Sequence, residues 1–400
     1  MRGIPASGVF IFFALVFLIE VLAFFSIHEL LDRPKIKRQV SIVYWGLTAV
    51  LTGILAFAFL NPEKIRQTTD YQFFYFVISV SFLNLVPKIL LSASLLIALI
   101  FRLFRARFHA RVLLTSATIL SLGLMLNIGY GIAFGRKSLR VVEQEVYLKN
   151  LPKSLDKMVL VQISDFHLGS FEDASFLKRA TSKINSFDPE LIFFTGDMVN
   201  NYYEEMLGFE EVLAEMTASH GKFAILGNHD YGDYSNWKDA ALKASNHEAL
   251  LKKIEAAGFR LLLNESADTL INNTTIEVIG VENWGHPPFP QYADLDKAIK
   301  QTADDSFKIL LSHDPAHWAE QVIGKTPVSL TLSGHTHAAQ SGVQFAGIEF
   351  SPMYFVQKYW GGLYREGDQY LYVNRGLGCV GLMGRIEMNP EITVLTLRSK

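Results

Sequence analysis

The sequence predicts a four-helix transmembrane region followed by an α/β domain. Three observations carry this. Composition changes sharply near Arg136, from a stretch dominated by Phe, Leu, Ile, Val and Ala to ordinary soluble composition. Four long apolar runs lie before that point. After it, short apolar strands first alternate with helical segments and then predominate, and Asp and His residues stand just behind the strands.

The apolar runs are placed at residues 4–27, 40–60, 73–101 and 112–134. Each is long enough to cross a bilayer, which takes roughly 20 helical residues. The first is too long for a simple signal peptide and lacks a small-residue cleavage site. Residues 1–135 are therefore read as the transmembrane region and 136–400 as the second domain. The first loop carries Arg33, Lys35, Lys37 and Arg38, and the third Arg102, Arg105, Arg107 and Arg111. The second has only Lys64 and Arg66, beside Glu63 and Asp70. By the positive-inside rule the first and third loops are cytoplasmic, which makes the second domain extracytoplasmic. Arg2, Arg136, Lys137 and Arg140 pull the other way. Glu20 and Lys88 fall inside spans and are expected to face the bundle interior and pair with neighbours.

A net charge of −2 over 400 residues excludes the basic excess of a nucleic-acid-binding chain. The single cysteine, Cys379, permits no intrachain disulfide and no thiolate metal site, and reads as a small buried apolar residue.

In the second domain, strands are expected at 140–148, 157–164, 191–195, 222–226, 260–263, 275–281, 308–312, 330–333 and 370–374. Helices are expected at 174–187, 209–218 and 249–257. Residues 233–247 read as a polar surface loop or a substrate-facing insertion. The expected arrangement is mixed sheets packed together and flanked by helices. Tyr354, Phe355, Tyr359 and Trp360 read as core.

Asp165, Asp197, Asn228 and His313 each follow a short apolar strand, where ligand sites of α/β sheets collect. Five of the eleven histidines fall in these clusters. Asp165 and His167, two apart in extended chain, face one side and can reach one cation; His335 and His337 repeat that spacing. Two cations need a bridging ligand, and the Asp197 carboxylate can supply it. Asn228 offers an amide oxygen, and His313 an imidazole. This donor set suits Mn²⁺ first, with Fe or Zn²⁺ as alternatives, over Ca²⁺ or Mg²⁺. A water between two such cations ionises near neutral pH and becomes a nucleophile. His229 is assigned proton donation to a leaving oxygen or phosphate stabilisation, and Asp230 an orienting role. His28, His109, His220, His247, His286 and His317 read as ordinary structural histidines.

The ordered set Asp165-x-His167, Gly196-Asp197, Gly227-Asn228-His229-Asp230, His313 and Gly334-His335-x-His337 resembles the calcineurin-like metallophosphoesterases, from about Arg136 to the C-terminus. The stretch from Val373 to Gly378, reading Val-Asn-Arg-Gly-Leu-Gly, with Pro390-Glu391-Ile392, resembles their bacterial membrane-associated branch. The resemblance implies a four-layer α-β-β-α sandwich. It implies one metal on Asp165, His167, Asp197 and His337, a second on Asp197, Asn228, His313 and His335, and His229 as the catalytic histidine. It also implies hydrolysis of a phosphomonoester, phosphodiester or pyrophosphate bond. A lipid-linked phosphate is attractive beside a bilayer, such as the UDP-diacylglucosamine pyrophosphate cleaved by some relatives. That reaction belongs at the cytoplasmic face, against the topology above. Two positions depart from the pattern. Asn200 stands where many relatives carry an acidic residue that orients the catalytic His, and Ala338 and Ala339 stand where glycines are common. The alternative is a non-catalytic metal-binding membrane sensor or scaffold; intrinsic transport by the bundle has the least support.

Overall fold

The computed structural model describes residues 6–61, 71–286, 289–300, 302–303, 306–345 and 347–400. Arg2, Ile4, Glu63, Lys64, Arg66 and Asp70, used above, lie outside the described residues. The chain divides into two compact units, Met1–Ile65 with Phe73–Ala133, and Arg66–Gln72 with Phe134–Lys400.

In the first unit, α1 (Ala6–His28), α2 (Pro34–Leu60), α3 (Gln72–Leu103) and α4 (Arg107–Ala133) are each long and apolar enough to cross a membrane. Helices satisfy their own backbone groups, which lipid cannot do. α2 begins six residues earlier than expected because Pro34 stands in its first turn, where a missing N–H costs nothing. Large apolar side chains such as Phe10, Leu47, Phe76 and Ile119 point outward. The buried faces carry small residues instead, among them Ala23, Ala98, Ala117 and Ser94, which let helix backbones approach. Glu20 faces this interior as expected. Its carboxylate accepts from Tyr44, Thr48 and Asn84 at 2.8 Å each and pairs with Lys88 Nζ at 2.7 Å.

The second unit holds two six-stranded sheets among the described residues. In the first, β1 (Arg140–Leu148) pairs with β14 (Glu391–Ser399), followed by β2 (Val159–Ile163), β3 (Leu191–Phe194), β4 (Lys222–Ala224) and β5 (Arg260–Leu261). β2 to β5 run parallel and β14 lies antiparallel to β2. In the second, the order is β12 (Gly362–Glu366), β13 (Gln369–Val373), β9 (Leu330–Ser333), β8 (Phe307–Leu311), β7 (Thr274–Gly280) and β6 (Glu265–Ile271). β13, β9, β8 and β7 are parallel there, with an antiparallel strand at each edge.

The sheets pack face to face. Leu160, Leu191, Phe193 and Leu395 of one interlock with Val278, Ile309, Leu332 and Tyr372 of the other in a single buried cluster. Fully burying each such side chain is worth about 1.5–3 kcal/mol. The outer face of the first sheet is covered by α5 (Ser175–Asn185), α6 (Glu210–Ala214) and α7 (Ala240–Ala256) through Leu177, Ile184, Leu213 and Leu250. The outer face of the second is covered by α8 (Leu295–Ile299) and the Trp318–Val322 turn. The result is the expected four-layer α-β-β-α sandwich.

Three expectations are corrected. α7 starts at Ala240, so most of the loop expected at 233–247 is helix; Asp239 caps it by accepting from Leu242 N at 2.8 Å. β6, β12 and β14 are unexpected strands, and β6 is joined to β7 by Asn272 and Asn273, both left-handed in φ. The four aromatics divide: Tyr359 and Trp360 are core, whereas Tyr354 and Phe355 are exposed.

Candidate metal centre

Every predicted site residue except Asn200 and Asp230 brings a side-chain donor atom to one edge of the sandwich. β2, β3 and β4 are parallel neighbours, so the turns after them, with Asp165/His167, Asp197 and Asn228/His229, leave the first sheet side by side. β8 and β9 are parallel neighbours in the second sheet and release His313 and His335/His337 at the facing edge. Backbone bonds tie the turns together. Asp165 N donates to Gly196 O at 2.8 Å, His167 N to Asp197 O at 3.1 Å and Gly334 N to His313 O at 3.0 Å.

Two groups of lone pairs converge. Asp165 Oδ1 and His167 Nε2 lie 3.2 and 3.1 Å from His337 Nε2. Asn228 Oδ1 lies 3.1 Å from His313 Nε2 and 2.8 Å from His335 Nδ1, and those two nitrogens are 3.2 Å apart. Asp197 Oδ2 belongs to both groups, at 3.5 Å from His167 Nε2 and 3.2 Å from His313 Nε2. Asp165, His167, Asp197, His313 and His337 are buried; Asn228, His229 and His335 are half-buried.

Supporting groups fix which atoms face inward. His313 Nδ1 donates to Thr195 O at 2.7 Å, which turns Nε2 toward the centre. Asn228 Nδ2 donates to Tyr234 Oη at 2.8 Å, which turns its Oδ1 toward the imidazoles. Asp230 is the buckle: its carboxylate accepts from Asp197 N, Met198 N, Val199 N and Gly227 N at 2.8–3.2 Å, so the Asp197 and Asn228 turns hang on one side chain.

The electrostatics fit cations. Burial opposes charge on Asp165 and Asp197, yet the His337 imidazole beside the first and the His313 imidazole beside the second hold both carboxyls below their usual range. Burial lowers His167, His335 and His337, which favours neutral, ligating imidazoles. Burial would lower His313 too, but Asp197 carries it up to about 10, a measure of how strongly the spot favours positive charge. Asp230 is pushed up to about 7 by burial and by the Asp197 carboxylate. His167 Nδ1 is buried without a hydrogen-bond partner among the described residues. Imidazole nitrogens and carboxylate oxygens packed this closely repel one another unless positive charge lies among them, so the residues present fit divalent metal ions.

The backbone is bent to make this geometry. Asp165, His167, Asp197, His335 and His337 all have φ between 44° and 74°, a region that non-glycine residues seldom occupy. Ala338 and Ala339 adopt φ of 49° and 52°, so the turn keeps a glycine-like shape with alanines in it. Gly376 and Gly378 lie under Asp165: a Cβ on Gly378 would sit 1.8 Å from Phe166 O. The departure at Asn200 is met by its backbone. His229 Nδ1 donates to Asn200 O at 2.9 Å, and the Asn200 side chain donates instead to Glu205 at 2.8 Å.

Glu205, Tyr234 and Arg385 had no sequence signal. Glu205 is buried and accepts from the N–H groups of Gly169, Asn200, Asn201 and Tyr202, holding the strand-end turns. Tyr234 stacks on His229 with ring centroids 4.4 Å apart; its place in a polar run read as a surface loop or a substrate-facing insertion is the nearest hint. Arg385 is fully buried, donates to Arg375 O at 2.7 Å and Gly376 O at 3.2 Å, and lies 3.1 Å from His337 Nδ1.

A four-layer sandwich with carboxylate, amide and imidazole donors at the strand ends defines a metal-dependent hydrolase. Residues 158–339 match the family described as "Calcineurin-like phosphoesterase", and residues 5–136 match "Probable Calcineurin-like phosphoesterase, transmembrane domain". The chain is 33% identical to "Uncharacterized metallophosphoesterase YkuE" of Bacillus subtilis over 279 residues, covering 68% of this chain and 90% of that protein. It is 31% identical to "Transmembrane protein with metallophosphoesterase domain" of Danio rerio, covering 67% of this chain and 60% of that one. It is 30% identical to "UDP-2,3-diacylglucosamine pyrophosphatase LpxG" of Chlamydia trachomatis, covering 57% and 81%. The chain belongs to the calcineurin-like phosphoesterase family, as a multi-pass membrane protein and a hydrolase of phosphoric ester bonds.

Proposed function

We propose that residues 136–400 form a dinuclear phosphoesterase anchored by residues 1–135. One divalent cation is held by Asp165, His167, Asp197 and His337, and the other by Asp197, Asn228, His313 and His335, with Mn²⁺ the first choice. The observation that carries this is the place of Asp197 Oδ2 within 3.5 Å of imidazoles from both groups. Bound cations supply Lewis acidity toward a phosphoryl oxygen and a nucleophile drawn from water near neutral pH.

The chain's own groups do the rest. Asp197 Oδ1 accepts from His229 N at 2.9 Å, which sets His229 beside the shared carboxylate. With Nδ1 donating to Asn200 O, His229 keeps Nε2 to hold a proton for the departing oxygen. Tyr234, stacked on that ring, limits its rotation and walls one side. Asp230, fully buried, holds the two turns in register.

The substrate proposed is a phosphomonoester, phosphodiester or pyrophosphate on a lipid. The attached spans support it, as does the likeness to a protein named for a diacylglucosamine pyrophosphatase. The cationic first and third loops support an extracytoplasmic position for the catalytic domain. The test is turnover of p-nitrophenyl phosphate and its bis ester with Mn²⁺ by the full chain in detergent. His229→Ala should lose about 10²–10⁴ in rate while keeping its metal, as expected for a proton donor. Asp197→Ala should lose both metal and rate. Wild-type rates in both variants would remove the assignment.

A further inference from the structure

We infer that the β10–β11 hairpin and the turn after it form a second, monotopic membrane contact, burying an apolar face in the lipid bilayer beside the metal centre. β10 (Val343–Phe345) and β11 (Ile348–Phe350) form an isolated antiparallel pair, with Phe345 opposite Ile348 and Val343 opposite Phe350. Alternation puts these four apolar side chains on one face and Gln344 and Glu349 on the other. The apolar face is open: Phe345 is 76% and Ile348 71% exposed. The Pro352–Phe355 turn continues it, with Phe355 79% and Val356 84% exposed. Phe350 and Phe355 rings meet at 5.9 Å, so hairpin and turn make one surface. A two-stranded pair with such a face is marginal in water, and a contiguous apolar patch of this kind marks an interaction site.

The occupant is argued from where the polar face is fastened. Glu349 pairs with Arg140 Nη1 at 2.9 Å and with Arg375. Arg140 is the first residue of β1, and the last membrane helix ends at Ala133. Only six residues separate Ala133 from Arg140, so the residue that clamps the hairpin follows closely in the chain on the last candidate span. Lys358, exposed just beyond Val356, adds a cation suited to anionic headgroups. Aromatic and aliphatic side chains with a flanking cation are the composition of interfacial contacts. The base of the surface reaches the centre. Ser351 Oγ donates to Ala338 O at 2.6 Å, next to His337. The same contact would therefore present an amphiphilic phosphoester, a consequence that rests on the function proposed above; the contact itself does not.

The test uses the full chain with Cys379→Ser, in nanodiscs of phosphatidylethanolamine and phosphatidylglycerol. A solvatochromic fluorophore is placed at Ile348→Cys, and at Asp268→Cys on the exposed side of β6 as control. The expected result is blue-shifted emission at 348, lost with nitroxide-bearing lipids and spared by iodide, with the reverse at 268. Iodide quenching at 348 overturns the inference. Protection from iodide without nitroxide quenching overturns it too, since a second copy or another protein would then cover the face. Should Ile348→Cys misfold, Val356→Cys carries the same measurement. Neither readout requires metal or turnover, so it stays separate from the catalytic assignment.

Discussion

Gly227→Ala tests the centre through one methyl group. A Cβ there would sit 2.2 Å from Asp197 Oδ1 and 2.6 Å from Asp197 N, where ordinary contact begins at 3.4 Å. The shared carboxylate must therefore retreat by about 1 Å, or the Asn228 turn must move by as much. Either shift strains the 2.9 Å bond from His229 N to Asp197 Oδ1. Misplacement on this scale can cost about 10²-fold in rate. Stability should suffer much less. Crowding costs about 1–3 kcal/mol. Gly227 does not hold a left-handed φ, so alanine returns about 0.4–1 kcal/mol by restricting the unfolded chain. A loss of up to about 3 kcal/mol lowers the melting temperature by roughly 2–4 °C per kcal/mol in a domain of this size. The assay compares Mn²⁺-dependent p-nitrophenyl phosphate turnover, bound metal by mass spectrometry and melting temperature with those of the wild type. Turnover and metal content both within about twofold of wild type would refute the placement of Asp197 at the junction of the two donor groups.

Two further outcomes are expected. Burial raises the Glu205 carboxyl from 4.5 to about 7. The folded state then holds more protons than the unfolded one between those values, and stability falls as pH rises through that window. Relative to Glu205→Gln, the wild type should be more stable at about pH 5 than at about pH 8 by roughly 2–3 kcal/mol, and a pH-independent difference in melting temperature would contradict this. A periplasm-type reporter fused after Lys400 should be active and a cytoplasm-type reporter silent; the opposite pattern would reverse the proposed topology and lift the objection to a cytoplasmic-face lipid substrate.

What could be read in the chain depended on how local the cause was. β1, at Arg140–Leu148, and the strands β2, β3, β8 and β9 announced themselves because alternation or short apolar runs are written into neighbouring residues. β6, in contrast, mixes Glu, Ser, Asp and Thr with Leu and Ile, and forms because β7 offers it an edge. The start of α7 was hidden because residues 240–247 are mostly exposed, with no apolar stripe to reveal a helix. Tyr354, Phe355, Tyr359 and Trp360 are chemically alike and close in sequence. Only the packing of Tyr359 on Trp318 and of Trp360 on Met388 separates core from surface.

By itself the sequence determined the four apolar helices and the sandwich class, and it nominated the candidate donor residues, since hydropathy, periodicity and the order of Asp, Asn and His are properties of the chain. Tertiary structure alone decided that Asp197 stands between two imidazole groups, that a backbone carbonyl at Asn200 steadies His229, and that Asp230, Glu205 and Arg385 clamp the turns. Those facts depend on parallel strand pairing bringing residues up to 172 positions apart (Asp165 to His337) to one edge. No local pattern encodes a contact whose partners meet only when two sheets close on each other.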